Sequence, residues 1–447
     1  MAGRCTISAM IQKLTETKLY NYLKEKSHID HLPYISVGII SGIVCCFYAK
    51  FFSYVEELNV HLMKSQGSLF FLLSPILLSL SFLIVMKFAQ GASGSGIPQV
   101  MVCAEKEHSD MASVFLSIRV IVVKIISSLI ALLSGAAIGR EGPSLQISAG
   151  IAHSVGNYAK RIGIKVKSEQ LLIAGAASGL AAAFNTPIGG VVYAVEELTQ
   201  EHVRSFKDTL LFAVVIAGFT AQLIMGNYLY LGVPEIHFTN ALNNIAIVSL
   251  VAFVSGALGS LFSVMLAKLI RWRKSKTLGT QILIISMVAI VLVASYLFLG
   301  ERTILSGKES INNVLFTKDS LSLSEMVMRF VSPLLSSMTG VAGGVFAPSL
   351  SAGATIGGVA SEYLFPELRN TLALCGMIGF LTGVTHTPIT SFVLVLEMTD
   401  RHSAVLAMML AAVFSSLGSR VFGKKSFYEL SVDTIKESLP QKGDQPS

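Results

Sequence analysis

The chain has 447 residues, and its 34 Lys/Arg and 27 Asp/Glu leave only 14% of positions charged, against roughly 25% in an ordinary soluble domain. With 52% hydrophobic residues and a mean hydropathy of +0.66, the composition excludes a soluble multidomain enzyme. The net charge of +7 is better read through membrane topology than through nucleic acid, because the basic residues gather in short loops between apolar runs.

In chain order, residues 1–30 are polar, with Lys13, Lys18, Lys24 and Lys26 ahead of the first apolar run. They read as a partly amphipathic helix on the cytoplasmic surface, with no cleavable signal peptide apparent, and Pro33 marks the start of the first span. A helix needs about 20 apolar residues to cross the hydrocarbon core. Runs without Lys, Arg, Asp or Glu recur at 65–86, 209–234, 278–300, 330–361 and 371–396. The expected fold class is therefore an all-α polytopic membrane protein, since an outer-membrane barrel shows short alternating segments instead. Basic clusters at Lys160, Arg161, Lys165 and Lys167 and at Arg271, Arg273, Lys274 and Lys276 predict cytoplasmic loops, and both termini are expected on that side. Cys45, Cys46, Cys103, Cys375 and Cys5 show no metal-ligand spacing and read as structural thiols. After Phe422 the chain turns polar, and 431–447 is expected to be a short polar tail with no room for a regulatory cytosolic domain.

Between these ends lies an internal repeat. Residues 175–196 align without a gap to residues 376–397, so that Gly175 matches Gly376, Thr186-Pro187-Ile188 matches Thr387-Pro388-Ile389, and Glu196 matches Glu397. Upstream, Gly142-Pro143-Ser144-Leu145 corresponds to Ala347-Pro348-Ser349-Leu350. The expected organisation is a membrane domain over 31–430, built of two homologous halves at about 31–232 and 240–430. Repeated halves with Gly and Pro breaks are the pattern of secondary transporters and related channels, whose site lies near the midplane. Each break predicts a helix that starts inside the membrane, where unpaired N–H groups and the positive end of the dipole attract an anion.

Three breaks carry the chemistry: Gly94-Ser95-Gly96-Ile97-Pro98, Gly139-Arg140-Glu141-Gly142-Pro143 and Gly343-Gly344-Val345-Phe346-Ala347-Pro348. Together with Phe184-Asn185-Thr186-Pro187, the Glu196-Glu197 pair, Val395-Leu396-Glu397-Met398-Thr399-Asp400 and a late Tyr428, they resemble the CLC family of chloride channels and chloride/proton antiporters, in its prokaryotic type without cytosolic CBS domains. The resemblance spans about 35–430. It implies a homodimer of broken, tilted helices arranged as inverted repeats, each subunit with its own pore. Chloride ligands would be the hydroxyls of Ser95 and Tyr428 and the amides of Val345 and Phe346. Glu141 would be the gating glutamate, competing with chloride for the anion path, and Glu197 the cytoplasmic proton-transfer glutamate. Glu197 favours exchange, because channels of this fold usually carry an apolar residue there; a passive chloride channel is the nearest alternative. Glu397, at the equivalent end of the second half, reads as structural. The dimer interface is expected near 209–225 and 402–418, and neither metal nor organic cofactor is implied.

Gln99, Met101 and His386 depart from the commonest family residues and leave open the pH dependence of gating and a partner for Lys124. Two readings from other classes fit the sequence less well. Gly91-Ala92-Ser93-Gly94 with Ala152-His153-Ser154-Val155-Gly156 looks like the serine and histidine motifs of rhomboid intramembrane proteases, but such a protease explains neither the repeat nor Glu141. A proton- or sodium-coupled transporter of another inverted-repeat family would need several converging carboxylates or unwound carbonyls, whereas the uncharged runs are flanked by only isolated carboxylates.

Overall fold

The computed structural model describes residues 31–198, 207–226, 229–236, 238, 241–317 and 319–439. The expected N-terminal helix at 1–30 and the last residues of the tail lie outside this set. Among the described residues there is no β-strand beyond two isolated bridges. The first half consists of α1 Leu32–Gln66, α2 Phe70–Phe88, α3 Ile97–Ala104, α4 Ile118–Leu133, α5 Glu141–Arg161, α6 Ser168–Phe184, α7 Pro187–Tyr193 and α8 Lys207–Met225. The second half consists of α9 Leu242–Lys274, α10 Leu278–Leu299, α11 Leu323–Met338, α12 Phe346–Leu364, α13 Arg369–Thr385, α14 Pro388–Thr399, α15 Val405–Gly418 and α16 Phe427–Glu437. By length and composition four to five stretches suit a full crossing, and the remaining described helices fall short of it in length or apolarity.

The two halves pack alike. α5 lies on α6, α6 on α8 and α8 on α1; in the second half α12 lies on α13, α13 on α15 and α15 on α9. Small residues make these crossings possible. On Gly353, Gly357, Gly376, Gly259 and Gly383 an added methyl would run into the backbone of the neighbouring helix. α6 and α13 both end on a left-handed residue, Asn185 at φ 58° and His386 at φ 59°, and a proline then opens the next helix.

That next helix is held by the other half. Glu196 accepts from Ile389 N (3.1 Å), Thr390 N (2.6 Å) and Thr390 Oγ1 (2.7 Å) at the start of α14. Its repeat mate Glu397 accepts from Ile188 N (3.1 Å) and Gly189 N (2.8 Å) at the start of α7. Repeat mates thus cap each other's repeat mates, the reciprocity that a two-fold relation between the halves requires.

Two uncharged runs do not form single spans. The 330–361 run breaks between α11 and α12, where Gly340 takes φ 78°, and the 371–396 run breaks at His386. The boundary expected at 430 falls inside α16, whose Ser426–Glu429 capping box starts the helix well before it.

The breaks are knitted to one another. Gly94 N donates to Val341 O and Gly343 N to Gly94 O, both at 3.0 Å, and Gly139 and Gly344 exchange two bonds at 2.8 Å. These ladders satisfy irregular backbone that lipid could not hydrate, and they bring the starts of α3, α5 and α12 to one place.

Candidate functional site

Ser95 lies between Gly94 at φ 66° and Gly96 at φ 95°, a backbone that glycine adopts readily and that turns the chain directly into Ile97 and Pro98, the buried first turn of α3. Behind this turn, Lys124 is fully buried and donates from Nζ to Ala92 O (2.9 Å) and Gly94 O (2.7 Å). Lys124 therefore has backbone carbonyls as partners, not a carboxylate. Gln146 of α5 donates to Gly91 O and Phe115 O, both at 2.9 Å, and its side chain fills the space beside Gly96.

Tyr428, in the first turn of α16, is fully buried, and its ring stacks on Phe346 at 6.3 Å. The Ser95 and Tyr428 hydroxyls face each other. Neither completes a hydrogen bond to a described residue. Gly142 packs against Ser95 Oγ and against Gly344, so the start of α5 adjoins the same point. Val345 and Phe346 open α12 there, and the first N–H groups of a helix have no intrahelical partner. Pro143 and Pro348 occupy the first turns of α5 and α12, where a missing N–H is harmless.

Glu141 caps this cluster. Its carboxylate is completely buried, and neither oxygen has a hydrogen-bond partner among the described residues. It lies against Gly139 and next to Ala347, whose amide faces it. Arg140 adds positive charge from the side while donating to Ala49 O (2.8 Å) and Ser53 Oγ (2.9 Å). The structure thus gathers Ser95, Glu141, Val345, Phe346 and Tyr428 around one buried point, with Gly94, Gly96, Ile97, Pro98, Gly139, Arg140, Gly142, Pro143, Gly344, Ala347 and Pro348 shaping it.

Glu197 stands apart, in the wide turn Ala194–Leu198 that prolongs α7. Its Oε1 is buried without a partner, yet the residue lines a cavity of about 1280 Å³ together with Met101, Glu105, His153, Glu169 and Lys436. Lys160 and Lys167 share that cavity, which puts it beside the basic loop that follows α5. Tyr428 lies within electrostatic reach of both Glu141 and Glu197.

Of the departures from the family pattern, Gln99 donates to Ser93 O (2.8 Å), Met101 lines the cavity, and His386 serves as the left-handed cap of α13. Ser93 donates to Gly340 O (2.8 Å), whereas His153 pairs with Asn157 (3.1 Å). They form no nucleophile and base pair. Among the described residues no three His, Cys, Asp or Glu side chains are grouped to hold a metal ion. Sequence reasoning missed Tyr193, which is buried between Glu197 and the aromatic cluster. It also missed the Glu105–Lys436 ion pair at 2.7 Å, which ties the far end of α16 to the far end of α3.

A family model described as voltage gated chloride channel matches residues 77–420. The chain belongs to the voltage-gated chloride channel family. It is 29% identical to the H(+)/Cl(-) exchange transporter ClcA of Vibrio cholerae serotype O1, over 98% of this chain and 97% of that one. Among solved structures, a slow cyanobacterial Cl-/H+ antiporter superposes with a TM-score of 0.80 at 23% identity, covering 92% of this chain and 99% of the other. A eukaryotic CLC transporter superposes with a TM-score of 0.77 at 20% identity, covering 94% of this chain and 77% of the other. These likenesses establish the fold of this family member as that of the CLC transporters, a multi-pass membrane protein.

Proposed function

We propose that this protein exchanges chloride for protons across a cell membrane, with Glu141 as the gate and Glu197 as the cytoplasmic proton-transfer group. The observation that carries this reading is the Glu141 carboxylate, fully buried at the start of α5 with neither oxygen partnered among the described residues, in electrostatic reach of Tyr428, whose hydroxyl, like that of Ser95, has no partner among them either. An anion and a carboxylate want the same thing from that point, namely helix-start N–H groups and hydroxyl donors. One excludes the other. Protonation removes the charge of Glu141 and its claim on the site, so chloride binding and proton binding become linked through one side chain. Ser95, Tyr428 and the amides of Val345 and Phe346 would replace the hydration of the ion while remaining weak enough to release it.

A passive channel needs no second carboxylate. Glu197, ionisable, deep in the protein and open to a cavity on the basic side, supports exchange, because such residues are costly within a membrane and persist for function. The relatives named as H(+)/Cl(-) exchange transporters support it too. The basic loops support a cytoplasmic side for both termini. α8 and α15 present Leu211, Phe219, Leu223, Val413 and Leu417 outward, a face suited to a homodimer.

The test is proton uptake by liposomes loaded with chloride, following pH and chloride together. An outward chloride gradient should drive protons inward against their own gradient. Glu197→Val should lose this, and Glu141→Ala should leave chloride flux without proton movement. Chloride flux in the wild type with no uphill proton movement would instead assign a channel.

A further inference from the structure

Tyr193 closes α7, and the turn that follows it carries Glu197. Residues four apart on a helical stretch share a face, so the phenol and the carboxylate follow one another along one side of it. The Tyr193 ring is completely buried and meets Phe346 edge-on at 5.7 Å, and Phe346 in turn stacks on Tyr428. The ionisable groups that act on Tyr193 are Glu197 and Tyr428. Tyr193 thus stands between the residue that opens to the cytoplasmic cavity and the residue that faces Ser95. Its hydroxyl makes no hydrogen bond to any described residue.

That hydroxyl needs an explanation. A buried polar group without a protein partner destabilises a fold, and phenylalanine would fill the same aromatic pocket without it. Packing accounts for the ring and not for the oxygen. A phenol can accept one proton and give up another without becoming charged, which suits a position between a carboxyl group and a buried anion path.

We propose that the Tyr193 hydroxyl is a proton-carrying step between Glu197 and the anion pathway. The proton of the Glu197 carboxyl passes to the phenol oxygen as the phenol's own proton leaves to a water molecule on the Glu141 side. Tyr193 is neutral before and after, and the Glu197 carboxylate is reprotonated from the cavity. The inference rests on the reading of Glu197 as the proton-transfer residue.

Tyr193→Phe removes one oxygen and keeps the ring. In chloride-loaded liposomes, alongside wild type and Glu197→Val, its proton uptake should fall about tenfold. That is less than the 10²–10⁴ often supplied by a positioned proton-transfer group, since water can partly substitute. Chloride affinity by calorimetry should be unchanged, so the number of protons moved per chloride falls while chloride binding stays. Wild-type coupling in Tyr193→Phe, with coupling lost in Glu197→Val, overturns the inference alone. Coupling retained in Glu197→Val overturns the underlying reading and the inference with it. A Tyr193→Phe protein with weakened chloride binding would make the hydroxyl part of the anion site and overturn the proton role.

Discussion

The reciprocal carboxylate caps offer a quantitative test of how the two halves are joined. Glu397→Ala leaves the amides of Ile188 and Gly189 without their acceptor, two bonds at 3.1 and 2.8 Å. A hydrogen bond to a charged group contributes about 1.5–3 kcal/mol, and a carboxylate at a helix start adds about 0.3–1 kcal/mol. Glu397 is only partly buried, so the low end of each range applies, giving a loss of about 3 kcal/mol. Glu196→Ala removes three bonds, two of them at 2.6 and 2.7 Å, and the same reasoning gives about 5 kcal/mol. Glu397→Gln keeps a neutral acceptor and should cost less than Glu397→Ala. Equilibrium unfolding in mixed micelles, followed by circular dichroism, should rank the variants in that order. Both alanine variants within about 0.5 kcal/mol of wild type, the range of an ordinary surface change, would refute the argument. So would a larger loss from Glu397→Ala than from Glu196→Ala.

The glycines of the first break should differ sharply. Gly96→Ala adds a methyl that collides with the Gln146 side chain at φ 95°, whereas Gly94→Ala at φ 66° meets nothing within 4 Å and bears only backbone strain, about 1–2 kcal/mol; folded yield and chloride titration should fall far more for Gly96→Ala. Asp319 accepts from Asn313 Nδ2 and from Arg302, both at 2.7 Å, and these contacts, the Asn313 bond foremost, hold its carboxyl below the ordinary 3.8. A depressed value in the folded state stabilises above the unfolded value and is lost as pH falls through the folded one. The melting-point difference between wild type and Asp319→Asn should therefore be present at pH 7 and vanish in the acid range below that ordinary value. Lys436→Glu sets like charges where Lys436 and Glu105 now meet at 2.7 Å and should lower thermal stability, and adding Glu105→Lys should restore it; failure of the double variant to recover would remove the pair as a tether of α16.

Much of this architecture is legible in the chain because Gly and Pro mark it. The breaks at Gly94–Pro98, Gly139–Pro143 and Gly343–Pro348 fall where α3, α5 and α12 begin, since a proline-ready first turn and, in the first break, the positive φ of Gly94 and Gly96 are local properties. The repeat is legible for the same reason: Asn185 and His386 cap their helices in the same left-handed region, at φ 58° and 59°, although they share no side-chain chemistry. What sequence cannot give is the far partner. Glu196 and Glu397 look like solvated helix-end residues until the halves meet, and the ion pair of Glu105 with Lys436 joins positions 331 residues apart. Tyr193 escapes notice because a tyrosine in an apolar helix resembles any other aromatic packing residue, and only the lack of a hydroxyl partner sets it apart. Uncharged runs overstate the length of a span for a related reason. Hydropathy records where lipid or apolar protein surrounds the chain, not where Gly340 or His386 turns it.

The electrostatics of the buried point explain why a carboxylate belongs there. Lys124 buries an amine that donates to two carbonyls, one of them that of Gly94 beside Ser95, while the starts of α3, α5 and α12 add partial positive charge around Ser95 and Glu141. The effect of such partial charges on a neighbouring anion grows as the local dielectric falls. The field at the site therefore favours one negative charge. Glu141 can supply it, and so can chloride, but two negative charges a few ångströms apart would repel strongly at that depth. The choice between them is made by protonating a single oxygen. Lys124 anchors the carbonyl of Gly94 beside Ser95, so Lys124→Met should weaken chloride binding in the Glu141→Ala background, where no carboxylate competes, by at least tenfold, or about 1.4 kcal/mol. Unchanged chloride affinity in that double variant would show that the helix starts and hydroxyls suffice on their own.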